Sequence, residues 1–210
     1  MKALHDFIVT PRDGRTTSKT EVDGKELLLN TELQNYQYVN RVGTVIATPI
    51  ISDTEIQPGD QVVVHHNVFR RFYDVRGTEK NSRSFFKEDM YFTQPDQIYA
   101  YKRPGDIWKP VHEFYFVKPL KNNDMFAANK EIPLKGVIKY GDDELPVGTL
   151  VGFTPRAEYE FVIDGERLYR VSKHFITIKY EYQGDEEEYN PSWTSGCRRT
   201  DQSCGRKNHN

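Results

Sequence analysis

Four short motifs occur twice in this sequence of 210 residues, in the same order both times. The pairs are HDFIVTP and HEFYFVKP, VGTVIATP and KGVIKYG, EIQPGDQVVV and ELPVGTLVGF, and DQIYAYK and KHFITIKYE. Four ordered matches are a poor fit to chance, so the pattern indicates two copies of one structural unit. We expect the copies to span residues 1–103 and 106–182, joined at Pro104-Gly105, a pair of residues typical of turns.

The apolar runs in both copies are short and are separated by turn residues. They are rich in β-branched and aromatic residues, which favour strands, and none shows the sustained 3.6-residue period of an amphipathic helix. Hydrophobic residues make up only 37% of the chain, but the 13 Tyr, 12 Phe and 2 Trp each bury a large area. The sequence therefore predicts a mostly β protein built from two β-barrels in tandem.

Composition and charge argue against several classes of protein. The net charge of −2 gives no general attraction to nucleic acid or to an anionic membrane. No apolar run approaches the ~20 residues of a membrane-spanning helix. Both cysteines, Cys197 and Cys204, lie near the end of the chain, which excludes a disulfide-built fold and favours the reducing cytoplasm. We expect neither a nucleic-acid partner nor a membrane partner.

The two copies differ in length at two places. Between Pro11 and Gly43 lie 31 residues, whereas only 16 lie between Pro119 and Gly136. The first copy is longer again in the polar stretch RGTEKNSRS. Both insertions are in the first copy, which suggests that this copy carries the specialised function.

The longer insertion, residues 12–40, contains the sequence GKELLLNTEL. The insertion is rich in Thr, Lys, Glu, Asp and Asn, so it gains little by packing on its own barrel. Yet Leu27, Leu28 and Leu29 would each contribute on the order of 1.5–3 kcal/mol if they were fully buried. Two interpretations are open: the triplet anchors a mobile loop in the groove of a partner, or it forms a buried edge strand of the first barrel.

The order of motifs in residues 1–103 resembles that of the GroES-type co-chaperonin family. The order is a first strand ending in IVTP, a polar loop with an apolar triplet, the strand GTVIA, the turn EIQPGDQVVV and the closing strand DQIYAYK. The second copy keeps the strands, but it has Gly148-Thr149 instead of Gly-Asp and lacks the long loop. The tandem layout is similar to that of the double-barrel co-chaperonins of chloroplasts, or to a divergent phage-encoded form.

This resemblance implies a cap that closes a double-ring chaperonin and assists protein folding. The cap would be a homo-oligomeric ring, normally a heptamer, in the cytoplasm of the bacterial host if the protein is phage-encoded. Leu27, Leu28 and Leu29 would bind between helices of the chaperonin's apical domain. The chaperonin hydrolyses the nucleotide, so the chain would be no enzyme and would hold no cofactor.

Two details of the resemblance concern particular residues. The hairpin region that contains Arg76, Gly77 and Asn81 would roof the dome. The family usually has glycines directly before its triplet, whereas Lys25-Glu26 separate Gly24 from Leu27 here. A different class of protein is also open: a structural module, for example a virion component, that uses the barrels without binding a chaperonin.

Other candidate sites are explained more simply by structure. His65-His66 follow an apolar strand, where adjacent side chains should point to opposite faces and cannot easily share a metal ion. Cys197, Cys204 and His209 fit no standard zinc pattern. The run NVFRRFYDVRG could stack single-stranded nucleic acid, but it also fits a half-exposed barrel strand.

The end of the chain, residues 183–210, has no counterpart in the repeat. Four acidic residues at 185–188 are followed by small, polar and basic residues. Such a composition buries little apolar surface, so the sequence predicts a solvated acidic run in a flexible C-terminal tail that is disordered or loosely attached.

Overall fold

The structure is a computed structural model that describes residues 2–12, 14, 19–22, 25–28, 40–124, 130–181 and 186–191. It divides into two compact units, Met1–His112 and Glu113–Asn210. The described residues form 17 strands, two 3₁₀ turns and no α-helix. The prediction of a mostly β protein is therefore confirmed.

The first unit contains eleven strands among its described residues. They are β1 (Phe7–Pro11), β2 (Lys19–Val22), β3 (Lys25–Leu28), β4 (Val42–Ala47), β5 (Gln61–Val64), β6 (Arg71–Tyr73), β7 (Glu79–Asn81), β8 (Phe85–Lys87), β9 (Met90–Thr93), β10 (Ile98–Lys102) and β11 (Lys109–Pro110). The second unit contains β12 (Phe114–Lys121), β13 (Glu131–Tyr140), β14 (Leu150–Phe153), β15 (Tyr159–Ile163), β16 (Glu166–Ser172) and β17 (Ile176–Lys179). A 3₁₀ turn precedes the last long strand of each unit, at Pro95–Gln97 and at Lys173–Phe175.

The two units share one strand order. In the first unit the main sheet runs β11-β10-β5-β4-β1-β9-β8, and in the second it runs β15-β16-β12-β13-β14-β17. Read from the opposite edge, the second order matches the first strand for strand, except that β11 has no equivalent among the described residues. All of these pairs are antiparallel, which is compatible with a β-barrel in each unit.

The register of the strands agrees as well. Pro11 pairs with Gly43 in the first unit, and Pro119 pairs with Gly136 in the second. Both glycines face a neighbouring strand so closely that a Cβ would lie 2.4 Å from Val9 Cγ1 at Gly43 and 2.5 Å from Val117 Cγ1 at Gly136. Each position therefore requires glycine because the paired strand lies too close there to leave room for a side chain.

The turn that follows the second repeated strand is duplicated too. Val45 N donates to Asp60 O at 2.8 Å, and Ile138 N donates to Thr149 O at 2.9 Å. The turn glycines, Gly59 and Gly148, have φ angles of +96° and +91°, which a residue with a Cβ adopts at a cost. The second copy, with Thr in place of the Asp of the Gly-Asp pair, thus keeps the backbone hydrogen bonds of the turn and the conformation of its glycine.

Each unit has its own apolar core. In the first unit, side chains from five strands meet with one residue that precedes β5 and two that follow it: the members are Phe7, Val9, Val45, Ile56, Val62, Val64, Val68, Phe69, Tyr91, Ile98 and Tyr101. The equivalent cluster of the second unit is Tyr115, Val117, Ile138, Val151, Phe153 and Val171. Val9 and Val117 occupy matching positions, as do Val62 and Val151, so the repeat preserves the centre of the core.

The boundary between the units lies later than the repeat predicts. Lys109–Pro110 pairs with Ala100 and Tyr101 of β10, and Trp108 is buried. Residues 106–112 therefore belong to the first unit, although the sequence assigns them to the second copy. The reason is that the connection between the copies forms the short strand β11, and no repeated motif marks it.

Residues 186–191 contact the second unit, although the sequence places them in a flexible tail. Glu188 forms an isolated antiparallel β-bridge with Leu120 of β12. Lys121 N donates to Glu187 O at 2.7 Å, and Tyr189 N donates to Pro119 O at 2.8 Å. The pairing of β12 with β16 ends at Val117, so the segment occupies the part of β12 that β16 leaves unpaired. Residues 192–210, with Cys197, Cys204 and His209, lie outside the described residues.

Candidate functional site

The long insertion of the first unit contains a β-hairpin. Within the described part of the chain, β3 pairs with β2 and forms a two-stranded sheet separate from the seven-stranded one. The register joins Thr20 to Leu27 and Lys19 to Leu28. Lys25–Leu28 is thus a strand, but it is not hydrogen-bonded to the edge of the main sheet. Leu29, the third residue of the predicted anchor, lies outside the described residues.

The insertion leaves and rejoins the first unit at a narrow neck. Arg12 N donates to Val42 O at 2.9 Å, which extends the β1–β4 pairing by one residue. The side-chain amide of Asn40 donates to Arg12 O and, at 2.8 Å, to Gly14 O. Asn40 Oδ1 also accepts a hydrogen bond from Val42 N at 3.0 Å. The side chain of Asn40 therefore adds to the backbone bond between the two ends of the insertion and extends their contact to Gly14.

The outgoing side of the neck is also held by the main sheet. Arg12 Nη1 donates to Gln61 Oε1 at 3.0 Å, and Gln61 is the first residue of β5. The neck is therefore fixed to β4 and β5, which lie at the centre of the seven-stranded sheet. The insertion therefore begins at a residue that is hydrogen-bonded to both of these strands.

The second insertion of the first unit forms the hairpin β6–β7. Phe72 pairs with Lys80, and Arg71 Nη1 lies 2.6 Å from Glu79 Oε1. Phe72 and Tyr73 are partly exposed, and Val75 is fully exposed. Because its strands are separate from the main sheet, this hairpin projects aromatic surface toward solvent.

The predicted roof residues Arg76, Gly77 and Asn81 all lie on this hairpin. Arg76 and Gly77 are in the turn, and Asn81 ends β7; all three are exposed. Asp74 Oδ1 accepts hydrogen bonds from Arg76 N and Thr78 N, both at 2.9 Å. These two bonds lower the pKa of Asp74 below its ordinary value because they stabilise the carboxylate. The bond from Thr78 has the larger effect, followed by the bond from Arg76. The role of the hairpin as a roof stays a prediction.

The two adjacent histidines lie beyond the end of β5, and their rings are in contact. The ring centroids of His65 and His66 are 4.2 Å apart, so the expectation of opposite faces is wrong. The reason is that the strand ends at Val64 and the chain turns there. Burial, together with the nearby charges of His65, Arg41 and Arg70, lowers the pKa of His66 to about 4. Among the described residues, no group of three or more His, Cys, Asp or Glu is arranged to hold a metal ion.

No protein-family model matches this sequence, and no curated protein matches it either. In the part of the chain that the structure describes, no helix is long and apolar enough to cross a membrane.

Three features of the structure were not predicted from the sequence. The sequence does contain a signal for the hairpin β2–β3, because Val22 and Lys25 are joined by Asp23-Gly24, a pair typical of two-residue hairpin connections. The sequence contains no signal for the hydrogen bonds of Asn40, because the partners of its amide lie 26 and 28 residues away along the chain. The docking of residues 186–191 was hidden by their acidic composition, and its two backbone hydrogen bonds, to Lys121 and Pro119, leave no mark in the sequence.

Proposed function

We propose that the protein is a co-chaperonin: a homo-oligomeric cap that binds a double-ring chaperonin through the insertion of its first unit. The single observation that carries the proposal is a leucine-bearing hairpin, separate from the main sheet, that leaves a rigid duplicated β unit through a closed neck. The resemblance of the motif order to GroES-type co-chaperonins supports the same function.

The energetics of the triplet suit a reversible cap. Three leucines contribute on the order of 1.5–3 kcal/mol each when buried in a groove. Ordering the residues that carry them costs about 1–2 kcal/mol per residue, which offsets much of this gain. One insertion should therefore bind weakly. A ring that presents several insertions at once binds tightly through their effective concentration, yet each contact stays individually weak.

The second unit offers no equivalent hairpin among its described residues. Its β12 and β13 continue to Lys121 and Glu131, and Asn122 N donates to Lys130 O at 2.9 Å. The connection beyond that bond is short, residues 123–129. We therefore propose one chaperonin contact per chain and a ring with one chain per chaperonin subunit, in which the second unit thickens the dome.

Co-sedimentation with a purified double-ring chaperonin, with and without adenine nucleotide, tests this function. The variant Leu27→Ser/Leu28→Ser/Leu29→Ser should lose nucleotide-dependent binding, because the anchor no longer gains free energy by burial. The matched control is Met125→Ser/Phe126→Ser, which removes the apolar pair from the corresponding connection of the second unit and should bind normally. The mass of the complex gives the number of chains per ring.

The proposal fails if the unsubstituted chain binds no chaperonin in any nucleotide state, with both host and reference chaperonins. The protein would then belong to the structural class, in which the barrels serve as an interaction module, for example in a virion. The proposal also fails if the triple serine variant binds as well as the unsubstituted chain, because the contact would then lie elsewhere.

A further inference from the structure

The amide of Asn40 makes two kinds of hydrogen bond, and they have different consequences. Asn40 Oδ1 accepts from Val42 N, two residues further along the chain. This bond is a local turn of the kind that Asp makes equally well. Asn40 Nδ2 donates to Arg12 O and Gly14 O on the opposite side of the neck. The amide makes both kinds, whereas a carboxylate, which has no hydrogen to donate, can make only the first.

The second unit supplies a natural comparison. Asn122 lies where β12 passes into the corresponding connection, and its Oδ1 accepts a hydrogen bond from Asp124 N at 3.0 Å. There the two sides of the connection are joined by backbone, through Asn122 N and Lys130 O. The first unit instead joins the two sides of its neck at the level of Gly14 by a side chain.

From this geometry we infer that Asn40 is a positioning residue whose side-chain amide fixes the direction in which the β2–β3 hairpin leaves the first unit. Without the two bonds from Nδ2, the outgoing segment is still held at Arg12 by Val42 O and Gln61, but it is no longer held at Gly14. The hairpin then samples more directions, and more conformational entropy is lost when it binds. The consequence for binding rests on the proposed co-chaperonin function, whereas the consequence for hairpin direction does not.

The substitution Asn40→Asp separates the two roles. It keeps the acceptor for Val42 N, but it removes both donors and places a carboxylate against two carbonyl oxygens. Asn40→Ala removes all three bonds. If the amide positions the hairpin, both variants behave alike; if Asn40 serves only the local turn, Asn40→Asp behaves like the unsubstituted chain. The control is Asn122→Asp, which keeps the acceptor for Asp124 N in the second unit.

The experiment measures hairpin direction and chaperonin binding on the same full-length chains. Spin labels at Glu26→Cys on β3 and Asp96→Cys on the 3₁₀ turn before β10 report the distance distribution, in a Cys197→Ser/Cys204→Ser background diluted with unlabelled chain. We expect a broader distribution for Asn40→Asp and Asn40→Ala, and an unchanged one for Asn122→Asp. Unlabelled Asn40→Asp and Asn40→Ala should bind a double-ring chaperonin with nucleotide with an affinity about tenfold lower or more, since each β2–β3 hairpin of the ring loses the same preorganisation.

Two results would overturn the inference. The first is an unchanged distance distribution for Asn40→Asp, whatever happens to binding. The second is a broader distribution with undiminished binding, in a preparation where the unsubstituted chain binds. Failure of the proposed function is seen separately, as absence of binding by the unsubstituted chain, and the distance measurement then still decides whether Asn40 directs the hairpin.

Discussion

The two units of this protein have the same six-strand framework but different connections. Strand order, register and the glycine at the close approach of the paired strands agree between β1–β4 and β12–β13. The connection after the first strand is closed by backbone in the second unit, and in the first it is opened into an insertion held by Asn40. The framework is thus set by close packing, which tolerates few changes, whereas the connections diverge at little cost.

A second difference lies between the third and fourth framework strands. In the second unit β14 is followed by a short turn and then β15, whereas the first unit inserts the hairpin β6–β7. The inserted chain also contributes Val68 and Phe69 to the core of the first unit. The second insertion thus adds side chains to the core of the first unit.

The largest expected effect tests the shared framework. Gly43→Ala and Gly136→Ala should each reduce the free energy of unfolding of their own unit by about 2–4 kcal/mol, because the added methyl group meets a strand that cannot move away. Native-state hydrogen exchange measures the two units separately. The control is Gly148→Ala, where the space is open and only the positive φ is strained, at a cost of about 1 kcal/mol. A large effect in one unit alone would contradict their equivalence.

The next effect concerns a feature of the second unit alone. A chain that ends at residue 185 lacks the backbone bonds of Glu187 and Tyr189 and exposes Leu120. It should lose about 2–3 kcal/mol of unfolding free energy in the second unit and none in the first. The matched control ends at Pro191, which keeps the docked segment, and equal stability of the two truncated chains would show that the docking contributes nothing.

A smaller effect concerns the first unit and depends on pH. The pKa of His66 is about 4 in the folded protein, below the value of about 6.5 for an exposed histidine. As pH falls through 6.5, the unfolded chain therefore takes up the proton first, and the stabilisation present above pH 6.5 is lost down to pH 4. Between pH 7 and pH 5 the unfolding free energy should fall by about 1–2 kcal/mol, a figure reduced because water screens the half-exposed ring.

Urea unfolding at a series of pH values measures this loss, followed by signals from the first unit. His66→Gln should remove most of the pH dependence, whereas the exposed His5→Gln should leave it in place. An unfolding free energy that is as pH-dependent in His66→Gln as in the unsubstituted chain would show that other groups are responsible.

The smallest effect is local to the hairpin β6–β7. The ionised carboxylate of Asp74 holds the turn at Arg76 and Thr78, and its pKa is lowered, so the turn should be intact above about pH 4 and loosen as pH falls through the folded pKa. Amide chemical shifts of Gly77 and Thr78 report the midpoint. In Asp74→Asn the same shifts should not titrate, and a midpoint above pH 4 in the unsubstituted chain would be inconsistent with the bonds described.

The framework was predictable from sequence because its determinants are local and occur twice. Pro11, Gly43 and Gly59 recur at matching positions in the second copy, where they mark a strand end, a close approach of paired strands and a turn, respectively. The strand at Lys109–Pro110 was not predictable, because two residues carry no pattern of their own. The site was predictable only in part: the leucines are visible in the sequence, but the neck depends on a contact between distant residues.

The most direct test of the central claim compares the two units in one hydrogen-exchange experiment, with and without a double-ring chaperonin and nucleotide. Amides of the β2–β3 hairpin, from Lys19 to Leu28, should become protected in the complex, while those flanking the corresponding connection at Asn122 and Lys130 should not change. Protection of the second connection instead of the hairpin, or no protection in either unit, would contradict the account.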